Sequence, residues 1–193
     1  MTAFSNTVSI PSANDGTLKV ISSCPRFDVV NFEWKGQDHY RVLQMPAEGV
    51  TAIVVRKDKK FVMVRQTRPF FEKPLLEFVS GGVNECESAH KAIGREVFEE
   101  TGYFPCSISE IREYSPNPAL VLNKATFYEV LVENDPLSDS TEKDMPDAEV
   151  VVLTLTQILE SIRSGEIHFT PASRFFYYLF IKNQIAVQET GSA

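Results

Sequence analysis

An acidic segment that follows a pair of glycines constrains this chain more than any other feature. Residues 81–103 begin with Gly81 and Gly82, continue with helix-forming residues, and reach a typical helix stop at Gly102. We therefore predict a helix from about Glu87 to Thr101. With 3.6 residues per turn, three glutamates of this helix fall within an arc of roughly 100°, and they are Glu96, Glu99 and Glu100.

Three carboxylates on one helix face repel one another, and partial burial raises the cost unless a positive charge lies between them. Oxygen ligands of this kind suit Mg²⁺ or Mn²⁺, which bind carboxylates, water and substrate phosphates together. The alternative is a solvated helix face with Lys91 and Arg95 as partners one turn away. For an arbitrary acidic helix that alternative is the more common one, so the flanking residues decide.

The flanking residues favour the metal site, because the segment resembles the Nudix box. That motif has the form G-x5-E-x7-R-E-U-x-E-E-x-G-U, where U is a bulky apolar residue. Every fixed position is filled, although a tyrosine stands last where an aliphatic residue is more usual. The matching residues are Gly81, Glu87, Arg95, Glu96, Val97, Glu99, Glu100, Gly102 and Tyr103.

The resemblance implies a metal-dependent hydrolase in which the helix and the preceding loop share the cation. The expected ligands are a backbone carbonyl beside the glycine pair and three carboxylates, namely Ser80, Glu96, Glu99 and Glu100. Glu99 is also a candidate catalytic residue. We expect the glycines to let the chain turn tightly between strand and helix. Glu87 and Arg95 are expected to hold loop and helix together rather than to touch substrate.

The family also places an acidic residue ahead of a later strand, where it helps to activate water. The loop of residues 133–148 and the strand that follows offer four such carboxylates, Glu142, Asp144, Asp147 and Glu149. We favour Glu149 or Asp147 as the catalytic residue, because they stand just ahead of the apolar run at residues 150–152. For any single one of them, a solvated loop carboxylate is the alternative.

The resemblance covers most of residues 25–182 and is greatest to the ADP-ribose and nucleoside diphosphate sugar pyrophosphatase branch. Gln66-Thr67-Arg68 matches a Q-x-R of that branch, and a proline stands about fifteen residues beyond the box. The implied small-molecule substrate is a nucleoside diphosphate sugar. Candidate substrate-binding residues are Arg68, which can grip phosphate bidentately, Trp34, which can stack on a base, Arg41 and Pro118.

Two departures make ADP-ribose itself a weaker expectation than the reaction. Ala119 follows Pro118 where the branch usually has glycine, and Asn123 stands near the position of an acidic residue that holds the terminal ribose. Two other functions stay open. A non-catalytic nucleotide-sugar-binding module is expected to show an eroded box, and the smaller nucleoside triphosphate hydrolases generally lack the N-terminal strands described below.

Composition narrows the partners and the compartment. The formal net charge of −7 excludes a diffuse basic surface, so we expect no nucleic-acid partner. The three cysteines include no C-x-x-C pair, which indicates reduced thiols. We find neither a targeting pattern at the start nor an apolar run of roughly 18 residues. We therefore expect a cytoplasmic protein without membrane contact.

The predicted fold class is α+β, with a mixed β-sheet sandwiched between helices and an N-terminal antiparallel β meander. Residues 1–46 form this appendage and residues 47–193 the Nudix hydrolase domain. Further helices are predicted from a Thr156 cap to about Ser164 and from Pro171 to about Lys182. In the resembling family the N-terminal strands commonly swap or pack across a twofold axis, so we expect a homodimer.

Overall fold

The computed structural model describes residues 18–44, 46–69, 71–138 and 147–182, and for Trp34 the backbone only. These described residues form two sheets and three helices. The strands are β1 (Lys19–Cys24), β2 (Phe27–Trp34), β3 (Gln37–Gln44), β4 (Glu48–Arg56), β5 (Phe61–Gln66), β6 (Leu75–Glu77), β7 (Ser80–Gly82), β8 (Pro105–Tyr114), β9 (Lys124–Val132) and β10 (Glu149–Leu153). The helices are α1 (Ala89–Thr101), α2 (Leu155–Ser164) and α3 (Phe169–Ile181).

The first three strands form the expected antiparallel meander, in the order β1-β2-β3. Lys35 and Gly36 connect β2 to β3, with φ angles of 54° and 73°. Two successive residues with positive φ match the right-handed twist of a two-residue hairpin. The connection is therefore a two-residue turn, and Gln37 already belongs to β3.

The seven-stranded sheet has the order β10-β5-β4-β9-β8, while β6 pairs with β5 and β7 pairs with β4. Strands β4 and β9 run parallel and the other pairs are antiparallel, so the predicted mixed sheet is confirmed. Alternate residues of β4 face opposite sides. Ala52 and Val54 pack in the core that includes α1, whereas Ile53 and Val55 pack in the core that includes α2 and α3. The sheet is thus sandwiched between helices, as expected.

Capping residues correct the predicted helix starts by about two residues. Helix α1 begins at Ala89 rather than Glu87, because the Ser88 side chain accepts a hydrogen bond from the Lys91 N–H and caps the helix. Helix α2 is capped by Thr154 and not by Thr156. Its side chain accepts from the Gln157 backbone, and the Gln157 side chain accepts from the Thr154 N–H in return.

Helix α3 begins at Phe169, two residues before the predicted start at Pro171. Proline is tolerated in a first turn because the N–H groups there have no intrahelical acceptor. None of the helices in the described ranges is both long and apolar enough to span a membrane.

A buried asparagine joins the meander to the large sheet. Asn123 is only 5% exposed. Its Oδ1 accepts from the Gln44 N–H at 2.8 Å, and its Nδ2 donates to the carbonyls of Gln44, Pro46 and Ala47 at 3.0–3.2 Å. The side chain therefore fixes the backbone between β3 and β4. A division of the chain between residues 46 and 47 stays a prediction.

Candidate functional site

The glycine pair lies in a strand and not in a tight turn. Gly81 pairs with Val50 and Gly82 with Gly49 across β7 and β4. The positive-φ glycines of the described chain are Gly36, Gly102 and Gly165, so neither member of the pair needs a left-handed backbone. Our expectation of a tight turn was therefore wrong. A three-residue strand is too short to show a periodic pattern, which is why the sequence did not reveal it.

Close packing explains why these two positions carry no side chain. A Cβ at Gly81 would lie 2.1 Å from the Glu96 carboxyl carbon and from its Oε1. A Cβ at Gly82 would lie 2.3 Å from the ring of Pro46. The carboxylate of Glu96 thus rests directly on the backbone of β7, and the helix that carries it lies against the glycine strand.

Arg95 links this strand, the following loop and the helix. Its Nε and Nη2 donate to the two Glu87 oxygens at 3.1 and 2.9 Å, and Nη2 also donates to the Gly82 carbonyl at 3.0 Å. Its Nη1 donates to Glu96 at 2.7 Å and to Glu99 at 2.9 Å. These are the contacts expected of a residue that holds loop and helix together.

Electrostatics strengthen the same link. Hydrogen bonding to Glu87 raises the pKa of the Arg95 guanidinium, and bonds to Glu96 and Glu99 act in the same direction against desolvation. In return, Arg95 lowers the pKa of Glu87, which also accepts from the Asn84 N–H at 3.1 Å. Glu87 is therefore ionised at neutral pH and is engaged in a structural contact.

The acidic face separates into a buried part and a rim. Glu96 and Glu100, one helical turn apart, are 8% and 7% exposed. Glu99 lies at the rim, with a side chain 38% exposed. Two buried carboxylates, one of which lies against the backbone of Gly81, provide hard oxygen donors, which fit a small divalent cation.

The carboxylates of Glu96 and Glu99 accept hydrogen bonds from Arg95. Consistent with this, no three His, Cys, Asp or Glu side chains in the part of the chain that is described form a ready metal-binding cluster. The fit to a cation therefore rests on the chemistry and burial of the donors.

Arg68, the expected substrate cation, is held by a carboxylate that the sequence analysis did not single out. Its Nε and Nη2 donate to the two oxygens of Glu77 at 3.1 and 2.7 Å. Gln66 donates to the same carboxylate at 2.6 Å. Gln66 and Arg68, the two fixed residues of the Q-x-R, therefore both donate hydrogen bonds to Glu77 on β6. The negative charge of Glu100 also contributes to the raised pKa of Arg68, which places this arginine near the acidic helix.

Glu149, one of the candidate catalytic carboxylates, forms an ion pair. It lies opposite Arg65 across β10 and β5 and accepts from Arg65 Nη1 at 2.7 Å. The same guanidinium donates to Glu166 at 3.1 and 3.2 Å, and Glu166 accepts from the Ser161 hydroxyl at 2.9 Å. Asp147 is exposed just ahead of β10. The other two candidates, Glu142 and Asp144, lie outside the described residues.

The remaining candidates lie in or beside the meander. Arg41 Nη1 donates to the Tyr40 carbonyl at 2.8 Å, and its guanidinium is 5.9 Å from the centre of the Phe32 ring. Pro118 is exposed in a turn that leads to Val121, which bridges to Val42 of β3. The Pro118 turn therefore lies near the segment of β3 that carries Arg41, although the two are far apart in the sequence. The Trp34 side chain lies outside the described part of the protein.

Asn123, which stands near the expected acidic position, has a structural role instead. Its side chain is buried, and both of its polar atoms bond to backbone groups between residues 44 and 47. It does not present a carboxylate or a free amide to a ligand.

Three comparisons with known proteins agree with this geometry. The model of the NUDIX domain family matches residues 45–183. ADP-ribose pyrophosphatase of Bacillus subtilis (strain 168) is 25% identical over 141 residues, which span 72% of this chain and 76% of that protein. A crystal structure of an ADP compounds hydrolase superposes with a TM-score of 0.65 at 20% identity, covering 88% of this chain and 94% of that chain, and supports the fold.

The contact between Gly81 and Glu96 predicts the effect of Gly81→Ala. The new methyl group must displace the Glu96 carboxylate, which is the flexible end of a side chain, so the fold persists while the carboxylate moves. We expect the affinity for Mn²⁺ to fall about 10- to 100-fold, as for other changes that reorient a ligand. Titration followed by electron paramagnetic resonance measures this.

Gly94→Ala is the matched control, because its Cβ would meet only Ile108 and Pro105 at 3.4 and 4.0 Å. It should leave Mn²⁺ affinity unchanged and stabilise α1 by roughly 0.5–1 kcal/mol. A folded Gly81→Ala protein with native Mn²⁺ affinity would show that Glu96 is not a ligand.

Proposed function

Since the chain belongs to the Nudix domain family and is a Nudix hydrolase, we propose that it cleaves the diphosphate bond of a nucleoside diphosphate sugar, an ADP-ribose-like compound. The products are a nucleoside monophosphate and a sugar phosphate. The observation that carries this proposal is the buried pair of carboxylates on α1, Glu96 and Glu100, the first of which lies against the backbone of Gly81. The Bacillus subtilis relative, an ADP-ribose pyrophosphatase, supports the choice of substrate class.

Nudix hydrolases generally use divalent metal cations, and we assign Mg²⁺ or Mn²⁺ to this site. The ligands would be the Ser80 carbonyl and the carboxylates of Glu96, Glu99 and Glu100. When bound, the cation screens the diphosphate, lowers the pKa of a bound water and stabilises charge on the leaving phosphate. Arg95 orients two of these carboxylates through its hydrogen bonds to Glu96 and Glu99.

Arg68 is the residue that we assign to the diphosphate. Glu77 occupies its Nε and Nη2, so the Nη1 group remains to donate to a phosphate oxygen. The pairing also fixes the plane of the guanidinium before substrate arrives, which reduces the entropy lost on binding. Glu77 is thus a positioning residue for Arg68.

A carboxylate accepts the proton as water attacks phosphorus and the bridging P–O bond breaks. The candidates remain Glu99, Asp147 and Glu149. Glu149 is ion-paired with Arg65, which fixes the direction of its carboxylate. Glu99 is itself one of the proposed ligands, and it is more exposed than either Glu96 or Glu100.

Arg41, Trp34 and Pro118 complete the proposed substrate site, and their place in or beside the meander suggests a shared site in a homodimer. The meander exposes four large apolar side chains, Val20, Ile21, Phe27 and Tyr40, which are 43–58% accessible. Of its described residues only Val30 is buried. Such a surface suits a second copy of the chain. A cytoplasmic location remains our expectation.

Removal of residues 1–46 tests the homodimer. Light scattering should give the full chain the mass of two copies, and the truncated chain should be monomeric or insoluble with weaker substrate binding. A full-length monomer that turns over substrate, or a truncated dimer with unchanged KM, would contradict the shared site.

A substrate screen tests the function itself. The full chain is incubated with ADP-ribose, other nucleoside diphosphate sugars and nucleoside triphosphates, and the products are separated by chromatography. We expect a nucleoside monophosphate and a sugar phosphate with Mg²⁺ or Mn²⁺, no turnover in excess chelator, and little with Ca²⁺, whose looser coordination positions phosphate and water poorly.

The other outcomes of this screen are equally clear. Turnover of triphosphates alone, with release of pyrophosphate, would identify a triphosphate hydrolase. Binding without turnover would identify a binding module, and full activity in excess chelator would remove the metal mechanism.

Glu100→Gln should reduce kcat at least ~100-fold while the fold persists. The substitution preserves volume and removes one negative charge and one strong oxygen ligand. Glu87→Gln is the matched control, because Glu87 bonds to Arg95 and to the Asn84 N–H. Its role is to hold the loop against the helix and not to bind the cation. Steady-state kinetics and thermal unfolding compare the two. Near-normal kcat for Glu100→Gln, or greater damage from Glu87→Gln, would refute the ligand assignment.

A further inference from the structure

A second cleft lies on the side of the sheet opposite α1, between α3 and strands β8 and β9. Its volume is about 360 Å³, which is within the usual range for small-molecule sites. Phe127, only 3% exposed, belongs to its lining and to the core shared with α3. The lining residues are Arg112, Tyr114, Phe127, Ser173, Arg174 and Tyr177.

Two guanidinium groups and two phenol rings border this cleft. The Arg174 guanidinium carbon lies 5.1 Å from the centre of the Tyr114 ring, and Arg112 Nη1 donates to the Tyr177 hydroxyl at 3.2 Å. Each arginine is therefore matched to an aromatic ring, and the contact of Arg174 with the Tyr114 ring leaves the N–H donors of that guanidinium available.

The lining contains no carboxylate, although the whole chain carries a net charge of −7. Glu113, between two lining residues of β8, approaches Lys124 at 3.6 Å. Within the described ranges no ion pair involves Arg174. The cleft is thus a local positive site on an acidic protein, which favours an anionic occupant.

Tyr114 adds a hydroxyl group to the two arginines that border this cleft. Burial also raises the pKa of Tyr114, against the opposing charge of Arg174, so its hydroxyl stays protonated at neutral pH and can donate a hydrogen bond.

We propose that this cleft binds a small ligand that combines a planar aromatic ring with a phosphate or carboxylate group. The ring packs on Phe127 and the tyrosines, and the anion accepts hydrogen bonds from Arg174. This site is separate from the proposed hydrolase site, since α1 and α3 lie on opposite faces of the sheet.

The test uses phenyl phosphate and benzoate as probes, with inorganic phosphate and phenol as their separate halves. Calorimetric titration of the full chain should show binding of at least one probe, and at least ~10-fold weaker binding of the halves, since each retains only one kind of contact. The phosphate and carboxylate probes distinguish the two possible anions.

Arg174→Gln should weaken probe binding at least ~10-fold and leave the kinetics of hydrolysis unchanged. Arg163→Gln, an exposed arginine in the last turn of α2, is the matched control and should change neither. Because binding is measured without turnover, this result does not depend on the proposed hydrolysis.

Ser173→Phe provides a second variant that retains both arginines. Ser173 lies exposed on α3, and an aromatic ring there fills the cleft and should abolish probe binding. Thermal unfolding checks that each variant folds. No binding of either probe at millimolar concentration, or equal binding by wild type and both cleft variants, would overturn the proposal.

Discussion

The position of α1 depends on one close approach, that of the Glu96 carboxylate to the backbone of Gly81. Strand β7 pairs with β4, and α1 packs on the same face of β4 through Ala92, Ile93 and Val97. Any side chain at Gly81 would occupy the place of the carboxylate. Apolar packing therefore fixes the height of the helix above the sheet, and the missing Cβ lets an acidic group enter the space that remains.

This close approach brings negative charges together, and Arg95 neutralises them only in part. Three carboxylates, those of Glu87, Glu96 and Glu99, bond to one guanidinium, and the buried Glu100 follows one helical turn after Glu96. Arg68 adds little net charge, because Glu77 neutralises it. Like charges held together in a partly buried site favour an added cation. The nearby arginines direct the carboxylates, while the net charge of the group remains negative.

Helices and strands with a repeating sequence pattern were predicted correctly. Features that depend on a single contact between residues far apart in the sequence were not. Helical spacing was enough to place Glu96 and Glu100 on one face, and alternation was enough for the meander. The pairing of Arg68 with Glu77 depends on the register between β5 and β6, which no local pattern specifies. The structural use of Asn123 likewise depends on backbone groups 76 to 79 residues away. The start of α2 differs from the prediction because Thr154 and Thr156 are both suitable capping residues.

The sheet separates two sites of opposite charge, and this separation follows from strand geometry. Side chains alternate across a strand, so one face of β4 and β9 contributes to the core under α1 and the other face to the core under α3. Carboxylates collect near the first core and arginines near the edge of the second. Attraction between the two groups is weakened by distance and solvent. Any coupling between the sites would therefore pass through the packed residues of β4, β5 and β9, the strands that contribute to both cores.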